Sequence, residues 1–224
     1  MYCGELSETC WLNFYHQIRK IFGFNYIQDY KAAEIANMLI SEDLENVLEN
    51  KISGKTVAII GAGPNLENLK ERPNEEVIIA ADGASNYLAN KLGILPDIVV
   101  TDLDGIEKFY RGILYIIHAH GDNIHLLLRL GRLDNAVVTA QVEPFGKLKL
   151  YGGFTDGDRA VVIAYRFGAS RIRIYGMDFE SGLVGKYSKP YLREHTPASY
   201  IKRKKLKIAK LIIENIIDKY KTNP

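Results

Sequence analysis

Three acidic positions stand directly behind short apolar runs. Val77 to Ala81 leads into Asp82-Gly83, and Asp97 to Thr101 leads into Asp102-Leu103-Asp104-Gly105. Both runs read as buried parallel strands. The acids therefore fall at the carboxyl ends of strands, where open α/β sheets place their ligand crevice. Asp102 and Asp104 are two residues apart and share one side if the strand geometry persists that far. Acids gathered in one crevice repel one another unless a cation stands between them. Hard oxygen donors with no cysteine nearby suit Mg²⁺, which commonly binds one or two carboxylates together with substrate phosphates. The same letters also fit plain turn chemistry, because Asp-Gly is an ordinary turn pair.

His118, His120 and Asp122 follow the run Ile113 to Ile117 at alternate positions, which strand alternation would put on one side. Two histidines and a carboxylate are a catalytic zinc composition. The alternative has the histidines contact phosphates while Asp122 binds Mg²⁺ or orients a hydroxyl nucleophile. Gly61-Ala62-Gly63-Pro64-Asn65 leaves the strand Thr56 to Ile60, and glycines there let backbone amides approach an anion or a flat heterocycle. Leu66 stands where a dinucleotide fingerprint needs its third glycine, and no P-loop ending follows. In Gly152 to Arg159, Thr155 or Asp156 reads as a helix N-cap and Asp158 as a first-turn acid. Capping does not call for the double glycine or for Arg159, so a ligand-facing loop is the favoured reading.

The elements that must carry these residues alternate strand and helix. Six strands are expected, at 56–60, 77–81, 97–101, 113–117, 135–141 and 172–175, giving an α/β fold. The sheet should be mostly parallel and Rossmann-like, with helices on both faces. Ahead of it, residues 5–22 read as an amphipathic helix. Asp29 is placed as the cap of a second helix, and Ser41 to Asn50 forms a third. No Pro/Gly-rich linker follows, so 1–50 is expected as a helical layer packed on a catalytic domain of 51–224. A long basic amphipathic helix should begin near Thr196, with Pro197 in its first turn.

The chain has 224 residues, 47% of them hydrophobic, enough for a real core, and a formal charge of +2. That small total hides an asymmetry. Residues 1–50 hold three Lys/Arg against eight Asp/Glu, whereas 186–224 hold eleven against three. The run Lys202-Arg203-Lys204-Lys205 fits either a solvated helix face or a phosphate clamp shared with Lys186 or Lys189. Helical spacing puts Lys202 and Lys205 beside the buried stripe of Leu206, Ala209, Ile213 and Ile216, and Arg203 away from it. No aromatic platform alternates with these charges, so a nucleic-acid partner is not expected. Cys3 and Cys10 cannot make a zinc site unaided. With no leader-like segment and no long apolar span, a soluble cytoplasmic protein with no membrane partner is expected.

Five ordered motifs carry a resemblance: GAGPN at Gly61 to Asn65, TDLDG at Thr101 to Gly105, HAHGDN at His118 to Asn123, GGFTDGDRA at Gly152 to Ala160, and GMDF at Gly176 to Phe179. Together they resemble the archaeal 6-hydroxymethyl-7,8-dihydropterin pyrophosphokinase family, which shares its catalytic fold with thiamin pyrophosphokinase. The resemblance implies Mg²⁺-dependent diphosphate transfer from ATP to the hydroxymethyl group of a reduced pterin, releasing AMP, in tetrahydromethanopterin- or folate-type pterin biosynthesis. It implies Asp82, Asp102, Asp104 and Asp122 as catalytic acids, with the metal on Asp102, Asp104 and Asp122. ATP and pterin contacts would come from Gly61, Ala62, Gly63, Pro64, Asn65, His118, His120, Asn123, Thr155, Asp156, Asp158, Arg159, Asp178, Lys186, Lys202 and Lys205. A homodimer is compatible with it. Where the thiamin enzymes carry D-x-T-D, this chain has H-G-D-N, so Asp122 matches one acid of two. Thiamin as acceptor, a non-catalytic nucleotide-binding module and a nucleotide-sugar transferase are the rival readings.

Overall fold

The computed structural model describes residues 7–222. Its centre is a six-stranded sheet built from β1 (Thr56–Ile60), β2 (Val77–Ala81), β3 (Ile98–Thr101), β4 (Leu114–His118), β5 (Ala136–Thr139) and β6 (Arg171–Tyr175). All the pairings are parallel and the strand order is β5-β4-β3-β2-β1-β6. Sequential strands step outward from β1 to β5, and the chain then crosses back to lay β6 against the other side of β1. That reversal is a topological switch point, so the exits of β1 and β6 diverge and leave a crevice between their loops.

Alternation along the strands feeds two cores. Val57 and Ile59 of β1 pack on one face with helices α1 (Glu8–Phe22), α3 (Glu45–Ile52), α5 (Asp156–Arg166) and α6 (Tyr200–Thr222). Ala58 and Ile60 face the other side, with α2 (Tyr26–Leu39), α4 (Ala84–Tyr87) and a twelve-residue 3₁₀ helix, Gly121–Arg132. The α4 turn runs on as a π-helical turn, Leu88–Leu92. Two short strands, β7 (Leu183–Val184) and β8 (Thr196–Pro197), pair antiparallel outside the sheet.

The amino-terminal prefix differs from the expected single layer. Trp11, Phe14, Tyr15 and Ile18 of α1 and Leu48 and Ile52 of α3 join one core, whereas Ala32, Ala33 and Ala36 of α2 join the other. The prefix thus straddles the sheet, and its α1–α2 junction comes to lie over the strand ends. Asn25, not Asp29, caps α2, its Oδ1 accepting from Ile27 N at 2.9 Å. Asp29 is 4% exposed inside the first turn and accepts from Tyr15 Oη and Gly121 N. α6 starts at Tyr200, later than expected, because Thr196 and Pro197 are taken by β8. Cys10 is buried in α1, and Cys3 lies outside the described residues. Among the described residues no helix is long and apolar enough to cross a membrane.

Trp11 is the single tryptophan and sits in the prefix, 4% exposed. A prefix that shares both cores should unfold with the sheet. Trp11 fluorescence and far-UV circular dichroism should therefore give one coincident thermal transition. Leu48→Ala, at a site with no exposure, should destabilise both signals equally by about 2–5 kcal/mol. Two separated transitions would show instead an independent amino-terminal unit.

Candidate active site

Asp82 and Asp102 close β2 and β3, and Asp156 opens α5, the helix that packs beneath β1, β2 and β3. One carboxylate oxygen from each lies within 4.8 Å of the other two. The chain turns sharply to make this possible. Asp82 has φ +48° and Leu103 φ +78°, the only described non-glycine residues in the left-handed region. For a bulky residue such as Leu103 that conformation is strained and persists only where the surroundings impose it. Thr101 imposes part of it. Its hydroxyl donates to Asp82 Oδ1 at 2.7 Å and accepts from Leu103 N at 2.8 Å. Asp82 Oδ1 also accepts from Gly105 N at 3.1 Å, and a Cβ at Gly105 would sit 1.9 Å from Asp82 Oδ2. The glycine of TDLDG is thus required by the acid of the strand beside it.

Crowding shows in the electrostatics. Burial, and then the Asp102 charge, raise Asp82 against the pull of Lys189. Burial and the charges of Asp102 and Asp82 raise Asp156 well above the carboxylate range. Asp104 is pushed up to about 7 by burial and by its hydrogen bond to Asp102. Burial works against Asp102 as well, yet hydrogen bonds from His120 and Asp104 and the charge on Lys189 hold it below its usual range. Asp102 therefore holds its negative charge more readily than Asp82, Asp104 or Asp156. Lys189 supplies the counter-charge, bonding Asp82 Oδ2 at 2.8 Å and also Asp104.

Two cavities meet at this cluster. The outer one, about 420 Å³, occupies the switch-point crevice between the β1 loop (Gly61, Ala62, Gly63) and the β6 loop (Gly176 to Phe179). The inner one, about 320 Å³, lies under the α1–α2 junction and is walled by Tyr15, Phe24, Asp29, His118, His120, Gln141 and Phe154. Thr155, Asp156, Lys189 and Lys202 line both; Asp82 faces the outer cavity and Asp102 the inner one.

Most of the expected site residues gather here, with different neighbours than expected. Asp104 and Asp122 are not among the three converging acids, and Asp156 is. Asp104 is turned toward Lys189, and Asp122 is exposed at the mouth of the inner cavity. No His-His-Asp triad forms among the described residues, because β4 ends at His118. His118 and His120 stack at 5.3 Å, and His120 Nδ1 accepts from Asp122 N at 3.3 Å. Burial, with the charges of Arg159 and His120, pushes His118 well down and keeps it neutral. Asn123 spends both amide protons on the carbonyls of Asp102 and His118, each at 2.7 Å, so it clamps two strand ends and has no proton left for a ligand. Asp158 lines the outer cavity, but its carboxylate is used as a cap, accepting from Phe154 N and Thr155 N. Arg159 is fully buried below the floor, donating to Gly152 O at 2.9 Å. Asp178 lines the outer cavity while its Oδ1 accepts from Ser181 N. Pro64 and Asn65 turn into a 3₁₀ turn outside both cavities. Lys186 pairs with Glu67 at 2.9 Å, away from the cluster. Of the basic run, Lys202 and Lys205 reach the inner cavity, whereas Arg203 is exposed and donates to Ala198 O.

This is an α/β crevice site in which two cavities meet at an acidic cluster that could hold a metal ion. The particular family follows from comparison: residues 31–182 match the model described as 6-hydroxymethylpterin diphosphokinase MptE-like, and the chain belongs to that family. It is similar to the 6-hydroxymethyl-7,8-dihydropterin pyrophosphokinase of Pyrococcus furiosus, 41% identical over 91% of each chain. The proteins of that name from Methanocaldococcus jannaschii (37% identical, 93% of this chain and 95% of the relative) and Methanothermobacter thermautotrophicus (38%, 93% and 94%) are similar over comparable lengths.

The raised acids fix a sign for stability. An acid whose folded-state pKa is raised contributes stability that is complete below the unfolded value, 3.8 here, and lost as pH rises through the folded value. The metal-free protein should therefore lose stability between about pH 4 and pH 7 and beyond. Asp156→Asn should raise Tm at pH 8 by about 2–6 °C, 1 kcal/mol being worth about 2–4 °C at this size. The gain should shrink at pH 4.5. Calorimetry in chelator checks it; a variant that melts lower at pH 8 would contradict the electrostatic account.

Proposed function

We propose that this chain is a diphosphotransferase that moves the β,γ-diphosphate of ATP to the hydroxymethyl group of 6-hydroxymethyl-7,8-dihydropterin and releases AMP. The product is of the kind that tetrahydromethanopterin- or folate-type assembly consumes. One observation carries the reading beyond family membership: the acid cluster stands at the seam of two cavities, as a transfer between two separately bound substrates requires. ATP belongs in the outer cavity. There Gly61 and Gly63 let backbone come close, the amino-terminal end of α5 at Thr155 to Gly157 offers a favourable dipole for anions, and Lys189 and Lys202 face the phosphates. The pterin belongs in the inner cavity, a flat ring between Phe24 and Phe154 on one side and the stacked histidines on the other.

Attack by the hydroxymethyl oxygen on the β-phosphorus needs alignment and charge neutralisation more than covalent help from the protein. The donor set of Asp82, Asp102 and Asp156 is all hard oxygen, with raised acids that a cation would relieve, and so fits Mg²⁺. When bound, the ion would draw charge from the phosphate oxygens. Lys189, already bonded to Asp82 and Asp104, and Lys202, which lines both cavities, would add cationic contacts to the phosphates. His120 accepts from Asp122 N at Nδ1, so its Nε2 carries the proton, 3.5 Å from Asp102 Oδ2, and orients that carboxylate at the inner cavity. Asp82 keeps its geometry through Thr101 and Gly105. Lys205, 5.2 Å from the Phe24 ring centroid, would close the cavity mouth over the bound ring.

Incubation with ATP, Mg²⁺ and a panel of acceptors, with products weighed by mass spectrometry, tests the reading. Pterin diphosphate and AMP are expected. AMP with thiamin diphosphate, or nucleotide binding with no AMP from any acceptor, would replace it. Asp102→Asn and Asp156→Asn should each lower kcat about a hundredfold or more, the scale of one lost interaction to the transition state. Lys202→Gln should raise the KM for ATP about 10- to 100-fold, more so at low salt, while Arg203→Gln leaves it unchanged. Steady-state kinetics at two ionic strengths separate these outcomes.

A further inference from the structure

Besides Asp122, exposed at its mouth, the inner cavity holds one buried acid that neither phosphate chemistry nor helix capping uses. Asp29, 4% exposed, lines it on the side formed by the amino-terminal prefix, with Tyr15 and Gln28. Its Oδ2 accepts from Tyr15 Oη at 2.8 Å and its Oδ1 from Gly121 N at 2.9 Å. Both donors are neutral, and they fix the plane of the carboxylate. A carboxylate offers about four acceptor sites, so one on each oxygen remains for whatever enters the cavity. Gly121 makes the approach possible, since a Cβ there would lie 2.7 Å from Gln28 Cβ. The residue before it, His120, reaches Asp102. His120 and Gly121 therefore span the cavity from the acid cluster at one end to Asp29 at the other.

We propose that Asp29 selects the acceptor by reading the 2-amino and N3–H edge of the pterin, the edge remote from the hydroxymethyl group. This rests on the pterin reading of the inner cavity. Two parallel acceptors match two adjacent N–H donors, the fork geometry that makes bidentate carboxylate contacts selective. An aminopyrimidine such as that of thiamin offers a donor beside an acceptor, and would set a ring nitrogen lone pair against a buried carboxylate oxygen. A site built around a buried polar pair rejects the mismatched ring strongly, because its groups are then left unpaired. Asp29 is thus a specificity residue, held in place by Tyr15 and Gly121.

An exchange of edges tests this. In Asp29→Asn one acceptor becomes an NH₂ donor, which matches the N3–H and C2=O edge of the 2,4-dioxo analogue. The KM of Asp29→Asn for the 2-amino substrate should rise about 10- to 100-fold with the KM for ATP unchanged, and its relative preference should shift toward the 2,4-dioxo analogue. Tyr15→Phe, which keeps the carboxylate and loses one support, should raise the same KM by less and keep the wild-type preference. A parallel loss on both rings would reduce Asp29 to a structural brace, and an unchanged pterin KM would remove it from the site. Wild-type protein that used both rings equally well would also overturn the proposal, whatever the variants do. Wild-type protein that releases no AMP with the pterin would instead overturn the functional reading itself.

Discussion

Everything in this molecule is arranged around mutual repulsion among carboxylates that have been taken out of water. Asp82, Asp102 and Asp156 bring oxygens within 4.8 Å of one another, with Asp104 close behind, and all but Asp102 are held above their ordinary pKa. Such a cluster opposes folding in the absence of a cation, so the surroundings must over-determine it. They do so with buried parallel strands that fix the positions of Asp82 and Asp102, a helix start that fixes Asp156, and the Thr101 hydroxyl bonded into both strand exits. The strained φ values at Asp82 and Leu103 belong to the same constraint.

The sheet topology then decides what the cluster can act on. Reversal of strand order between β1 and β6 opens a crevice on one side of the acids, while β3 and β4 carry the other side beneath the prefix. Since α1 and α3 pack on one face of the sheet and α2 on the other, the α1–α2 junction has to pass over the strand ends. It roofs a second cavity as it does so. The prefix is therefore a wall of the site as well as a part of the core, which is why Asp29 and Tyr15 from it face the same space as His118 from β4.

Five strands were legible because parallel strands buried in the sheet read as apolar runs, while the edge strand β6 alternates arginine with isoleucine, and all six appear within a few residues of their expected bounds. The acids at their ends were legible for the same reason: a strand end is a position in space as well as in sequence. What escaped was whatever depends on contacts across the chain. Asp156 read as a helix cap or a ligand contact, yet its carboxylate joins Asp82 and Asp102 at the ends of β2 and β3. Lys189 was named with Lys186 as a phosphate contact, but it lies 107 residues from Asp82, and no spacing announced its pairing with that acid. Asp29 carried the signature of a cap, but Asn25 does that work and frees Asp29 for the cavity. The alternation of His118, His120 and Asp122 was a true pattern read with the wrong period, since the strand gives way to a 3₁₀ helix after His118. Asn123 shows the converse: a polar residue inside a suggestive motif whose hydrogen bonds all turn inward.

The basic end of the chain ties these strands of the argument together. Cations in the first turn of a helix gain nothing from its dipole, and burial together with the charge on Lys189 pushes the Lys202 ammonium down from its ordinary pKa. Folding alone thus works against a lysine at that place. Asp156 and Asp102 pull the other way, but both are already neighbours of Lys189, so they do not account for a second cation. Under the proposed diphosphate transfer, an anion entering the seam would give Lys202 a partner beside Lys189. The near-zero net charge of the chain conceals that division. Acid gathered on strand ends and base from α6 and the loop before it meet at the site, where Lys189 bonds Asp82 and Lys202 lines both cavities.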